Sequence, residues 1–79
     1  MPRFYFHLHN DEDVPDDEGV ELADLNAARA YAARCARAMF GEMAKEKGHV
    51  VLHHRIDIED EHQRVLDTVY FRDAVDIEA

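Results

Sequence analysis

The residues best suited to chemistry are the histidines. His7-x-His9 in an extended segment puts two imidazoles on one face, and a neighbouring strand could add His53 or a carboxylate. Such a set would suit zinc, nickel or copper. The plainer reading is that paired strand histidines are ordinary exposed or interfacial residues. No cysteine partner and no longer-range ligand spacing accompanies them. His53 and His54, adjacent in an extended chain, point to opposite faces and cannot both reach one ion. The second concentration of donors is acidic. Asp11, Asp13, Asp16, Asp17 and Glu18 could offer oxygen ligands to calcium. A calcium loop counted from Asp11 needs Gly at its sixth position and Glu at its twelfth, where Asp16 and Leu22 stand, and Pro15 interrupts. A solvated acidic loop is the reading that remains.

Nucleophiles are scarce. The chain contains no serine, so Ser-His-Asp chemistry is excluded, and Thr68 stands alone. Cys35 falls on the apolar stripe of a helix, where it reads as a small buried hydrophobe. The three glycines lie far apart and form no phosphate-cradling loop. Carboxylates abound without a pattern that assigns an acid and a base. Arg34, Arg37 and Lys45 could bind an acidic group, but they read more simply as a solvated helix face. No catalytic residue, no cofactor and no enzymatic activity are therefore expected. Metal binding by His7, His9 and His53 is the alternative.

A single long helix must position these groups. Leu25, Ala28, Ala32, Cys35, Ala36, Met39 and Met43 recur every three or four residues from Asp24 to Lys47. Asp24 is a good N-cap, Lys45 and Lys47 suit the last turn, and Gly48 suits the left-handed stop. Strands flank the helix. Arg3 to Asn10 alternates Phe4, Phe6 and Leu8 with Tyr5, His7 and His9. Asn10 to Glu21 is an acidic turn region, with Gly19 to Leu22 as a short extended piece. Val50 to Asp60 is a second strand, a polar turn covers 60–63, and Arg64 to Phe71 is a third strand. Val65, Val69 and Phe71 are expected to face the helix, with Asp67 the misfit on that side. The tail from Arg72 makes one helical turn that folds Ala74 and Val75 onto the core.

The fold class is thus α+β: a small, mostly antiparallel sheet of three or four strands in β-α-β-β order, with one helix packed on one face. The other face shows Tyr5, His7, His9, His53, Arg55, Leu66, Thr68 and Tyr70. This mixture is richer than a plain solvated surface, and a dimer interface or a ligand face is expected there.

Seventy-nine residues make one domain, 1–79, whose thin core favours oligomerisation. No apolar run is long enough for a membrane span, and the start does not read as a signal segment. With one cysteine there is no intrachain disulfide, and a cytoplasmic setting is expected. The formal net charge is −9. Residues 25–47 carry five basic side chains against Glu42 and Glu46, a net of +3; the rest carries four basic and sixteen acidic side chains, a net of −12. Such an acidic body repels phosphate, so a nucleic-acid partner is not expected.

Three segments resemble a family of short bacterial proteins known only as a domain of unknown function. They are Met1-Pro2-Arg3-Phe4-Tyr5-Phe6-His7-Leu8, Asp16-Asp17-Glu18-Gly19-Val20-Glu21-Leu22 and Asp24-Leu25-Asn26-Ala27-Ala28-Arg29. Arg64-Val65-Leu66 and Phe71-Arg72-Asp73-Ala74-Val75 are similar to its ending. The resemblance implies a shared fold and no known activity. The family's hairpin turn reads Asp-Gly, whereas His62-Gln63 stands here, which implies a longer loop. A strand, an acidic turn and an Ala-rich helix are also loosely similar to HicB-type antitoxin domains. The expected role is a non-catalytic cytoplasmic interaction or regulatory module, acting as a homodimer or on another protein.

Overall fold

The computed structural model describes residues 1–9, 13–48 and 53–75. The elements run β1 (Arg3–His9), β2 (Asp13–Val14), β3 (Val20–Glu21), α1 (Leu25–Lys47), β4 (Arg55–Glu59), β5 (Val65–Tyr70) and α2 (Phe71–Ala74). Parts of four expected elements lie outside the described residues: the strand end at Asn10, the start of the acidic turn region at 10–12 with its candidate ligand Asp11, the strand start at 50–52, and the tail from residue 76.

Every strand pairing is antiparallel. The main sheet order is β2-β1-β4-β5, and β3 also pairs with β1, on Arg3 and Phe4. The three longer strands and α1 keep the β-α-β-β order; the acidic segment supplies the two short strands. That segment is therefore not a solvated loop throughout, because its two ends close one edge of the sheet.

The helix forms where local signals place it. The Asp24 side chain accepts the Ala27 N–H at 2.8 Å, and Gly48 takes φ 68° while its N–H reaches the Ala44 carbonyl. Ala28, Ala32 and Ala36 are fully buried. With no bulk at these positions the helix axis sits close to β4 and β5, and the core closes with Phe4, Ile56, Ile58, Phe71 and Ala74. Phe6 packs on Tyr31, ring centroids 4.7 Å apart. Cys35 is half-buried rather than enclosed, because the helix leans toward β4 and β5 and leaves the β1 side of its stripe more open.

Two features of β5 depart from simple alternation. Ile58 pairs with Asp67 but Glu59 pairs with Val65, so a bulge at Leu66 offsets the strand. Val65 consequently shares the face of Glu59 instead of the helix face, and is 56% exposed. Asp67 does face the helix, where Arg29 Nε binds its carboxylate. The guanidinium also reaches Asn26 Oδ1 at 3.0 Å. Phe71 begins α2 rather than ending the strand and is 1% exposed. Arg37, expected in solvent, donates to the Ala74 carbonyl at 3.2 Å and holds α2 down.

Candidate functional site: the sheet face turned away from the helix

Both helices pack on one side. Among the described residues nothing covers the other side, and strand register lays it out as a grid. Asp13, His9, Arg55 and Tyr70 form one row across β2, β1, β4 and β5. His7, Asp57 and Thr68 form the next, and Tyr5, Glu59 and Val65 the last. Directly paired residues share a face, so sequence alternation on β1 and β4 plus pairing defines the grid.

The polar groups of this face bind one another. His9 Nδ1 lies 2.8 Å from Asp13 Oδ1 and Nε2 lies 3.0 Å from Asp57 Oδ2. A carboxylate oxygen thus lies within hydrogen-bond distance of each ring nitrogen. Asp57 also accepts the Thr68 hydroxyl at 2.9 Å and has Arg55 Nε at 3.5 Å. His7 Nδ1 accepts the Asp16 N–H at 3.0 Å. Its proton therefore sits on Nε2, 3.5 Å from Glu59 Oε1. In this tautomer His7 offers a metal no free lone pair. An open cleft runs beside His7 and His9, lined also by Asp13, Pro15, Glu59 and Gln63.

His53 is not part of this set. It stands in an exposed turn before β4, with its ring edge-on to buried His54 at 5.3 Å, and no described contact joins it to His7 or His9. Among the described residues no group of three or more His, Cys, Asp or Glu side chains could hold a metal ion. Leu66, 41% exposed, lines a cleft with Pro2, Phe4 and His62 at the end of the sheet, set apart from Thr68 and Tyr70 by the bulge. Tyr5, Arg55, Thr68 and Tyr70 lie where alternation places them, and Arg72 stacks over the Tyr70 ring at 4.7 Å.

Asp16 is the residue whose role alternation does not reveal. Its carboxylate accepts the N–H groups of Phe6, Glu18 and Gly19 at 3.1–3.2 Å. The Phe6 N–H is the β1 donor left over between β2 and β3, so an aspartate side chain completes that edge. Burial pushes the Asp16 pKa up, but the three N–H bonds outweigh it and hold the carboxyl below its ordinary 3.8. Asp67 does the same for the opposite edge. Phe71 N–H points to His54 O on the β4 side, so the N–H of Thr68 points outward, and Asp67 Oδ1 takes it at 2.8 Å. Hydrogen bonds from Arg29 and from Thr68 N–H hold the Asp67 carboxyl below the usual range. The sequence cue for both is an aspartate beside or within an otherwise apolar strand pattern.

Fold and face together define an antiparallel α+β domain with one long helix and its outer sheet face open among the described residues. The chain belongs to the family described as Domain of unknown function (DUF6894), whose model matches residues 3–72. No curated protein and no solved structure matches the chain. Among the described residues no helix is long and apolar enough to cross a membrane.

Proposed function

We propose that the protein is a non-catalytic interaction module of the cytoplasm that self-associates through the outer sheet face. The observation that carries this reading is the asymmetry of the sheet. Aspartate side chains occupy an outward N–H on each edge, which disfavours strand addition. The helices take one face, and the other presents Tyr5, Tyr70 and Val65 around charges that already bind one another. Polar groups neutralised in place lose less on desolvation than isolated charges do. The same argument favours a protein surface over a metal as occupant, because His7 and His9 spend their nitrogens within the network. The net charge of −9 speaks against nucleic acid as the partner.

Four strands about 4.8 Å apart and five residues of about 3.4 Å give a footprint of roughly 20 by 17 Å, small for a stable interface. A footprint of this size fits a weak, transient association, which we place in the micromolar range. Light scattering between about 5 and 500 µM should show a monomer–dimer transition. Tyr70→Asp should shift it at least tenfold toward monomer. A protein that stays monomeric throughout overturns the proposal.

A further inference from the structure

Resting on that reading, we infer the orientation of the partner: a second copy docks with its strands reversed, about a two-fold axis running across the strands through the His7–Asp57–Thr68 row. Arg55 of each copy then meets Glu59 of the other. The charge layout of the grid singles out this arrangement.

Along β4 the outer side chains read Arg55, Asp57, Glu59. One end carries Arg55, and His9 lies in register with it between two carboxylates. The other end carries Glu59 between Tyr5 and Val65 in register. The Arg55 side chain is 41% exposed, and its described contact is a 3.5 Å approach of Nε to Asp57. The two terminal nitrogens of its guanidinium make no described contact within the chain, and a planar fork of this kind suits a carboxylate.

A two-fold axis across the strands exchanges the two ends of every strand and keeps each strand opposite its own copy. Arg55 falls opposite the partner's Glu59, twice per dimer, and Tyr70 falls opposite the partner's Val65. The residues placed on the axis tolerate meeting themselves. His7 is neutral in the tautomer that accepts the Asp16 N–H. Thr68 donates its hydroxyl to Asp57. The Asp57 carboxylate is taken up by Thr68, His9 and Arg55 on its own sheet.

The competing axes leave Arg55 without a carboxylate opposite it. An axis along β4 sets Arg55 on Arg55 and Glu59 on Glu59. An axis along the strands between β1 and β4 sets His9 on Arg55 and leaves Glu59 facing Tyr5. In a chain of net charge −9, self-association needs local complementarity to offset overall repulsion.

The test uses the full chain and three variants: Arg55→Glu, Glu59→Arg and the double exchange. Circular dichroism first establishes that each is folded. Each single variant alone should dissociate at least tenfold more readily than the wild type, since like charges then meet at both ends. An equimolar mixture of the two single variants should form a heterodimer, because both cross-pairs are restored. The double exchange should dimerise near the wild-type concentration. Single variants that dimerise as the wild type does, or single variants that neither the mixture nor the double exchange rescues, overturn this orientation while leaving the dimer in place. A wild type monomeric at all concentrations removes the dimer itself. Should one single variant fail to fold, the double exchange still decides.

Discussion

At the residue scale, three residues do work that their types alone do not announce. Asp16 binds three backbone N–H groups drawn from β1 and the β2–β3 connection. Asp16→Ala leaves those donors without their acceptor and should lower stability by about 1–3 kcal/mol in urea unfolding at pH 7. The folded carboxyl holds its proton less tightly than the unfolded one. Its contribution is therefore complete above the unfolded value of 3.8 and is lost as pH falls through the lower folded value. The wild type should lose stability steeply across that acid range, and the variant less so. Gly19 shows the same crowding from the backbone side. At φ 70° its Cβ position lies 2.9 Å from the Phe4 carbonyl and 3.0 Å from Tyr5 Cε2, so only glycine fits the turn that delivers β3 to β1. Gln63 is the opposite case, a non-glycine residue at φ 63°. The Asp60 carbonyl accepts the Gln63 N–H, and the Asp60 carboxylate takes the N–H groups of His62 and Arg64. These bonds hold a three-residue hairpin loop that needs a left-handed residue at its end. Gln63→Gly should gain about 1 kcal/mol and raise Tm by about 4–8 °C in a thermal melt.

At the element scale, the long helix is specified almost entirely by short-range signals, and its small-residue stripe sets the helix–sheet distance. Ala28, Ala32 and Ala36 are all at 0% exposure. Ala32→Leu inserts side-chain volume where no space exists and should destabilise by about 1–3 kcal/mol, measured by chemical unfolding. Cap, stop and stripe are readable because each depends on residues within four positions of one another. The β5 strand is different. Its two faces are nearly equally apolar, so alternation alone leaves the register open. The bulge at Leu66 then turns Val65 to the outer face while Asp67 stays on the helix side, held by Arg29 from 38 residues away. An aspartate on an inward position looks like a misfit until the helix arginine that receives it is in place.

At the scale of the whole molecule, the two sheet faces differ in chemistry. The inner face and the helices form the core. The outer face carries His9 and Asp57, whose contacts tie β2, β1, β4 and β5 into one polar layer. If that layer is a dimer interface, the melting temperature should rise with protein concentration by mass action. A tenfold increase from about 10 to 100 µM should move Tm upward measurably in wild type but not in Tyr70→Asp. An unchanged wild-type Tm over that range would count against self-association.

The sequence by itself determined the helix and its ends, the main strands, the α+β class and the histidine-bearing face, because period, caps and alternation act over a few residues. It could not place His53 outside the strand, assign Asp16 and Asp67 to the two sheet edges, or turn Val65 outward. Those outcomes depend on which backbone donors are left over once strands pair. That remainder exists only after segments distant in the chain have been brought together.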